Sequence, residues 1–432
     1  MYPNPQEALP LAPRPNLEQY HKLAKGLVKA CRSGDADAIR VWAAGWIEQL
    51  ARRSPGLKTL DSESNIKTHA SAVGEFARAQ LSEGASRTCA LTTAQFVIAR
   101  AHGFLSWPKF VQHLESLRRP RSAVAAFERA VVAVVTGDAA TLKRLLREHP
   151  GLARAESTRE HRATLLHYVS ANGVEGYHQI SPTNSAAVAG ILVNAGADVD
   201  ATADVYEGKC TPLGLVATSS PPFAAGVQRD VMDVLLAHGA RLDLRGSVGH
   251  DHSLLHGCLA NGQPQAAEYL ARRGAPAGLV EAAGLGDLDR VRPLAAGAAK
   301  PPLLEAFSMA CAYGRVAVVE FLLEHRADVN AELQGFGEGH TGLHVAAYQG
   351  HADLVTSLLR HGARVDAIDK TWHTTPVTWA LTGWSRRPSP QHYAIVAQLV
   401  ASGAAVTSDL LESHAVRADV RMRSALQTTA HN

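Results

Sequence analysis

The fold of this 432-residue chain is decided by residues 341–366, TGLHVAAYQGHADLVTSLLRHGARVD. The spacing of the apolar residues predicts a turn, a short helix, a break at Gly350, a second helix and a stop at Gly362. Glycine at these two positions permits a positive φ, which costs a residue with a Cβ about 1 kcal/mol. A unit this small cannot bury its own apolar face, so it must stack on copies of itself.

Related stretches occur on both sides of this one, with a period near 33 residues. They combine leucines with a Gly-Ala or Ala-Asp ending, as at 192–200, 235–240 and 322–330. Residues 341–366 resemble the ankyrin repeat, whose TPLH turn, AAxxGH break and LLxxGADVNA ending they match almost residue for residue. The resemblance implies an all-α fold, an ankyrin-type α-solenoid of helix-turn-helix repeats with hairpin loops.

The order of motifs along the chain predicts four regions. A proline-rich stretch, residues 1–15, is expected to be a flexible lead-in. Residues 16–118 are predicted to form a helical N-terminal domain, residues 119–407 an array of about eight repeats, and residues 408–432 a capping helix and a tail. Three lengthened hairpins depart from the repeat pattern, and long loops on a repeat scaffold often carry specificity; they are residues 177–185, 219–226 and 383–390.

A segment of the N-terminal region, AQFVIARAHGFLSWPKF at residues 94–110, carries a second resemblance. It is similar to a segment that precedes ankyrin arrays in bacterial proteins of unassigned function, which implies a bacterial origin. Two short helices joined by a glycine turn also suggest a DNA-binding helix-turn-helix. The second helix is too apolar to read a groove, so a small structural core is the favoured interpretation.

Cysteine usage and hydropathy predict the compartment. The five cysteines are odd in number, far apart and contain no CxxC pair, which argues against both a disulfide framework and a Cys-rich zinc site. The first residues lack the features of a signal peptide, and no run of about 20 apolar residues occurs. We therefore expect a soluble cytoplasmic protein that does not enter a membrane.

The charge of the chain is unevenly distributed. The formal net charge is +3, with +7 in residues 1–122 and −4 in the remainder. This asymmetry leaves a nucleic-acid-binding regulator open as an alternative function of the N-terminal region.

Clustered histidines raise the question of a metal site or an enzyme. Residues 250–256, HDHSLLH, contain three imidazoles and a carboxylate, and a metal-dependent enzyme around them is a weaker alternative. The histidines of the TPLH-like turns, His167, His256 and His344, are instead expected to bond backbone groups of the adjacent turn. We find no catalytic constellation, and predict a non-enzymatic chain with no metal and no cofactor.

A partner protein is the binding partner that the resemblance implies. In the ankyrin family the partner usually contacts the hairpin tips and the exposed ends of the first helices, which form a concave face. Aromatic and arginine side chains are favoured at such surfaces, although Trp372 and Trp384 could instead cover an edge. Mapped by motif, the candidate partner-binding residues are Tyr348, Gln349, Tyr313, Phe336, Glu338, Trp372, His373, Trp384 and Arg386.

Overall fold

The computed structural model describes residues 3–35, 37–54, 57–82, 89–325, 327–333 and 338–428. The chain is mostly helical and forms two compact units, residues 1–266 and residues 267–432. The predicted all-α class is confirmed. None of the helices among these residues is both long enough and apolar enough to cross a membrane.

The first unit contains thirteen complete helices among the described residues. They are α1 Leu17–Arg32, α2 Ala38–Arg53, α3 Glu63–Ser82, α4 Leu91–Ala101, α5 Trp107–Leu117, α6 Ala123–Thr136, α7 Ala139–Glu148, α8 Leu165–Val169, α9 Ser185–Asn194, α10 Pro212–Ala217, α11 Ser220–Ala224, α12 Gln228–Ala237 and α13 Leu254–Ala260. Short 3-10 helices occur at Pro5–Glu7, Lys58–Leu60, Pro150–Arg154 and Gly176–His178.

A four-helix core, α1 to α4, forms the beginning of this unit. Leu27, Ile47 and Val97 are fully buried in it, and α5 packs on α4. The assignment of residues 16–118 to a separate domain stays a prediction.

The rest of the first unit consists of stacked helix pairs. The first helices α6, α8, α10 and α13 pack on one another in order, and the second helices α7, α9 and α12 form a parallel row. One antiparallel hairpin interrupts the helices, with β1 Ala203–Val205 and β2 Gly208–Cys210 joined by two residues. Tyr206 and Glu207 have φ values of 52° and 56°, the positive pair that a type I′ turn requires.

The second unit repeats the same arrangement. α14, Pro264–Arg272, contains the boundary between the two units. The first helices α15, α17, α19 and α21 pack in one row and the second helices α16, α18, α20 and α22 in another. Their bounds and those of the last three helices are α15 Leu279–Leu285, α16 Leu288–Ala295, α17 Lys300–Ala312, α18 Val316–Glu324, α19 Gly342–Gln349, α20 Ala352–Arg360, α21 Pro376–Arg386, α22 Pro390–Ala401, α23 Ser408–Glu412, α24 His414–Ala418 and α25 Val420–Leu426.

The repeated leucines and glycines hold the two rows together. The first leucine of each pair, Leu322 in α18 and Leu358 in α20, is fully buried, and the second remains partly exposed. Truncating such a buried leucine costs roughly 2–5 kcal/mol. Gly350 and Gly362 have φ values of 82° and 84°, so both helices of residues 341–366 end in the predicted left-handed conformation.

The proline-rich start of the chain differs from the expected flexible lead-in. Leu9 is 1% exposed, and its backbone N–H donates to the carbonyl oxygen of Ala101 at 2.8 Å. The flexible lead-in was predicted for residues 1–15 from their proline content, but the described residues 3–15 include a buried leucine that packs against helices of the first unit. The carboxyl-terminal residues also differ from the prediction, because residues 408–426 form three short helices, and Met422 and Leu426 of α25 are buried.

Two cysteines form a disulfide, contrary to the sequence-based expectation. Cys31, in the last turn of α1, is bonded to Cys89, and the two Cα atoms are 5.8 Å apart. Their spacing of 58 residues gave no sign of the pairing, which arises because α1 packs against α4. Cys210, Cys258 and Cys311 are buried free thiols.

The predicted hairpin insertion at residues 383–390 is mainly an extension of helix. α21 continues to Arg386 and α22 begins at Pro390. Gly383 permits this extension, because a Cβ there would lie 2.0 Å from the Tyr348 carbonyl oxygen on α19. The insertion at residues 219–226 likewise forms a helix, α11, instead of an irregular loop.

Gly383→Ala should therefore destabilise the protein by about 1–3 kcal/mol, because α19 and α21 must move apart to admit the methyl group. Chemical denaturation followed by circular dichroism measures this loss. Gly190→Ala in α9 is the matched control, since no atom lies within 4 Å of its Cβ position and alanine favours a helix. Equal unfolding midpoints for wild type and Gly383→Ala would contradict the close approach.

Candidate partner-binding surface

A histidine links the turn of one repeat to the turn of the next. His344 Nδ1 accepts a hydrogen bond from the Thr341 backbone N–H at 3.1 Å, and its Nε2–H donates to the Thr374 carbonyl oxygen at 3.2 Å. Burial lowers the pKa of His344 to about 4, so the ring is neutral at pH 7 and can make both bonds. His167 has the same geometry in the first unit, with Thr164 N–H and the Cys210 carbonyl as its partners.

The repeat that begins at Thr211 lacks this histidine and replaces it with a direct backbone contact. Its TPLG sequence has Gly214 where the other turns have His, and a Cβ at Gly214 would lie 1.9 Å from the Ser247 carbonyl oxygen. Because the glycine leaves room, that oxygen accepts the Thr211 N–H at 3.1 Å. In the repeat that begins at Ser253, His256 stacks on His252 with 4.2 Å between ring centroids.

The turn reached by His344, residues 369–374, is organised by a buried carboxylate. Asp369 is 1% exposed, and its Oδ1 accepts the backbone N–H of Thr371 at 3.0 Å and of Trp372 at 2.6 Å. Its Oδ2 accepts the Thr374 N–H at 2.9 Å and the Thr374 hydroxyl at 2.7 Å, and it also accepts the Trp379 indole N–H at 3.2 Å. Burial alone would raise the pKa of Asp369, but the hydrogen bonds from Thr374, Trp372 and Trp379 outweigh it and hold that pKa well below its usual range.

Two of the predicted partner-binding residues come together around a third aromatic side chain. The exposed ring of Trp372, 58% accessible, meets Trp379 edge-on with 5.6 Å between ring centroids, and the ring of Tyr348 also meets Trp379 edge-on at 6.0 Å. Trp379 itself is 7% exposed and stacks on the buried His340 at 5.5 Å. We refer to Tyr348, Trp372 and Trp379 as the aromatic cluster.

Polar predicted residues lie on elements next to the aromatic cluster. Half-buried Gln349 accepts a hydrogen bond from Arg387 Nη2 at 2.8 Å. Glu338 is tied to the 369–374 turn, because its backbone N–H donates to the Thr371 hydroxyl at 2.7 Å. His373 is exposed at a φ of 54°, and Arg386 is exposed at the end of α21.

The remaining predicted residues are placed differently. Trp384 is 8% exposed and packs in the core of the second unit with Tyr393, so its prediction as an exposed contact is wrong and the edge-covering interpretation applies. It is buried because residues 383–386 continue α21 instead of forming a loop. Tyr313 is half-buried at the end of α17, and Phe336 lies outside the described residues. Asp369 was missed, although Asp at the start of the polar stretch DKTWHT, residues 369–374, is typical of a turn.

The histidine-rich stretch 250–256 does not assemble a metal site within the described part of the chain. The rings of His252 and His256 lie nearly parallel, at 15°, so their nitrogen atoms do not converge on one point. His250 instead pairs with Glu207 at 3.4 Å between Nδ1 and Oε2. Among these residues no group of three or more His, Cys, Asp or Glu is arranged to hold a metal ion.

The predicted insertion at residues 177–185 borders a buried ion network in the first unit. Arg159 is 4% exposed and lies 2.7 Å from Glu128 Oε1 through Nη1 and 2.7 Å from Glu175 Oε1 through Nε. Burial would raise the pKa of Glu175, but the Arg159 charge holds it well below its usual range. Removing one member of such a network leaves a buried charge uncompensated. Tyr177, at the start of the insertion, accepts a hydrogen bond from Arg159 Nη2 at 3.5 Å, so this end of the insertion contributes to the structure of the unit.

A comparison with protein families identifies the repeats of the second unit. The ankyrin-repeat family, described as three copies, matches residues 279–369 and 307–409. Residues 279–409 therefore carry ankyrin repeats, which generally mediate protein–protein interaction.

Short stretches of curated proteins are similar to this chain. They are the serine/threonine-protein kinase TNNI3K of Mus musculus, 46% identical over 13% of this chain, the ankyrin repeat protein nuc-2 of Neurospora crassa, 36% identical over 17%, and cortactin-binding protein 2 of Mus musculus, 42% identical over 17%. The matches span only 7%, 7% and 4% of the length of those proteins. The solved ankyrin repeat domain of human ASB11 aligns with 64% of this chain and 99% of its own, at 21% identity and a TM-score of 0.33.

The substitution Asp369→Asn should lower the free energy of unfolding at pH 7 by about 2 kcal/mol. It replaces one carboxylate oxygen with an NH2 group, which faces backbone N–H donors instead of accepting hydrogen bonds from them. The folded pKa lies below the unfolded value of about 4, so this contribution is present above pH 4 and is lost as the pH falls. Urea denaturation of both proteins from pH 2.5 to pH 7 measures the difference. Asp353→Asn, at an exposed position in α20, should change stability by less than about 0.5 kcal/mol. A difference in free energy of unfolding between wild type and Asp369→Asn that does not grow with pH would contradict an ionised Asp369 in the folded protein.

Proposed function

We propose that this chain is a non-enzymatic scaffold that binds a partner protein through the aromatic cluster and the 369–374 turn of its ankyrin repeats. The observation that carries the proposal is the exposed indole of Trp372, which contacts Trp379 and whose backbone is fixed by a hydrogen bond to Asp369. A large aromatic side chain at an exposed position is the residue type that dominates binding energy at protein interfaces.

The rigidity of the turn favours binding. Five hydrogen bonds to one carboxylate fix the backbone on both sides of Trp372 before any partner arrives. The partner therefore gains contact with the indole without the entropic cost of ordering a loop. The turn is also fixed to its neighbour, because Lys370 N–H donates to the Glu338 carbonyl at 2.8 Å.

The polar surroundings have the composition of an interface rim. Gln349, His373 and Arg386 offer hydrogen-bond donors and acceptors that remain in contact with water. An apolar centre with a polar rim is the usual arrangement of a protein-binding surface. We include these residues in the proposed site and leave out Trp384, which is buried.

The combined substitution of Tyr348→Ala and Trp372→Ala should lower the recovery of a partner at least tenfold, because two hot-spot residues are removed. The full chain serves as bait for affinity purification from the native host, and the proteins retained by wild type and variant are compared quantitatively. Phe223→Ala is the matched control, since Phe223 is 48% exposed in the first unit. A reproducible partner retained equally by the double variant would contradict the proposed site.

A second candidate function is the binding of nucleic acid by the N-terminal helices. α1 places Lys22, Lys25, Lys29 and Arg32 at exposed positions with helical spacing, which gathers positive charge on one face. Lys22 is partly neutralised by Glu18 at 2.9 Å. Ordinary solvation of a surface helix explains the same pattern, so this function ranks below protein binding.

Nucleic-acid binding predicts that the full chain is retained on DNA or RNA at low salt, with an affinity that falls steeply as salt rises. Lys25→Glu combined with Lys29→Glu should abolish retention, while Lys300→Glu in the second unit should lower it much less because it lies outside this face. Electrophoretic mobility at several salt concentrations distinguishes these outcomes. No retention of the wild-type chain at low salt excludes the second candidate.

The bacterial origin stays a prediction. The cytoplasmic location was expected from the spacing of the cysteines and from the lack of signal-peptide features. The cysteine argument no longer holds, because Cys31 and Cys89 are joined in a disulfide and disulfides are rare in reducing compartments. We do not include a compartment in the proposed function.

A further inference from the structure

The segment Pro3–Pro13, which we call the N-terminal segment, lies in a trough of the first unit. Its anchor is Leu9, 1% exposed, whose N–H donates to the Ala101 carbonyl at 2.8 Å and whose carbonyl accepts the His102 Nδ1–H at 2.9 Å. Burial lowers the pKa of His102 to about 4, so the ring is neutral at pH 7. One apolar side chain and two main-chain hydrogen bonds thus fix the middle of the segment.

A second contact lies near the start of the segment. The Gln6 side-chain carbonyl accepts the Tyr206 hydroxyl at 3.1 Å. Gly176 lets the backbones approach closely, because a Cβ there would lie 2.5 Å from the Gln6 carbonyl oxygen. The trough is therefore shaped to accept a polypeptide backbone at this point.

Open clefts border much of the segment. A cleft of about 640 Å³ is lined by Pro3, Asn4, Pro5 and Ala8, a second of about 480 Å³ by Gln6, and a third of about 420 Å³ by Pro10, Leu11 and Pro13. The segment is therefore partly buried, through Pro3 and Ala8 to Pro10, and partly bordered by space that a longer side chain could enter.

The linings of two of these cavities include residues with positive φ. Tyr206 and His250 line both the 480 Å³ and the 640 Å³ cavities, and their φ values are 52° and 48°. The φ of Tyr206 is that of the turn between β1 and β2, whereas the positive φ of His250 costs free energy of a kind that often occurs at binding sites. The 480 Å³ cavity has no formally charged side chain in its lining, and presents amides and hydroxyls such as Asn172, Asn261 and Thr218. Asn172 Nδ2 donates to the Thr218 hydroxyl at 3.2 Å and Asn261 Nδ2 to the Gly257 carbonyl at 2.9 Å, so this lining is polar and held in place by hydrogen bonds within the unit.

We propose that this trough is a binding site for an extended, proline-containing peptide of a partner protein with one leucine as its anchor, and that the N-terminal segment occupies the site until such a peptide displaces it. Main-chain hydrogen bonds supply affinity, the Leu9 position supplies specificity, and flanking prolines reduce the entropy lost on binding. The site belongs to the first unit and uses none of the residues of the aromatic cluster.

A labelled peptide with the sequence of residues 3–15 tests the proposal on the full-length chain. Leu9→Asp in the chain should release its own segment, because a buried carboxylate cannot be accommodated without a partner. Fluorescence anisotropy should then show the peptide binding at least tenfold more tightly to the Leu9→Asp chain than to wild type, whose own segment competes intramolecularly. A peptide that carries Leu9→Asp should not bind.

Substitutions in the wall of the trough distinguish binding at this site from nonspecific binding of the peptide. Gly176→Ala in the Leu9→Asp chain should weaken peptide binding at least tenfold, while Gly190→Ala in the same background should leave it unchanged, because its Cβ position is open. If Gly176→Ala alters the circular dichroism spectrum, Tyr206→Phe tests the Gln6 contact and should weaken binding at least threefold. The proposal is overturned by absence of binding to the Leu9→Asp chain, by equal binding to wild type, or by unfolding of the Leu9→Asp chain, which would make the segment part of the core.

Discussion

The histidine that links one turn to the next, at His167 and His344, is the interaction on which the most regular repeats depend. A repeat of two short helices has a polar turn whose backbone groups face its neighbour, and these groups must be paired if they are buried. His344 satisfies this requirement with one nitrogen on its own turn and the other on the next turn. The bond fixes the register between repeats, which apolar packing of alanine, valine and leucine alone specifies weakly.

The exposed candidate surface follows from that buried bond. The carbonyl that accepts the His344 proton belongs to Thr374, and the same residue donates twice to Asp369. Asp369 in turn fixes Trp372 and receives the indole N–H of Trp379. A chain of hydrogen bonds thus runs from the interior of the array to an exposed indole, so the scaffold determines where the candidate contact residue stands.

The repeats of the first unit are joined by less regular contacts than those of the second. Gly214 replaces the bridging histidine with a backbone contact, and Arg159 brings Glu128 and Glu175 together in the interior. The N-terminal segment is anchored by Leu9 beside open clefts of the surface. The second unit instead relies on regular repeats, with a bridging histidine and a buried carboxylate at the 369–374 turn.

The sequence by itself determined the helix pair and glycine stops of residues 341–366 and the bridging histidines His167 and His344, because these depend on residue spacing within one repeat. It also identified Tyr348 and Trp372 as candidate contacts. Only the tertiary structure decided that Trp384 is buried, that Cys31 meets Cys89 and that Leu9 is an anchor. These outcomes join residues far apart in the chain, and a local pattern carries no information about which distant surfaces come into contact. Asp369 combines both kinds of information. The local sequence predicts the turn, but the hydrogen bond that Asp369 accepts from Trp379 forms only when the repeat is packed.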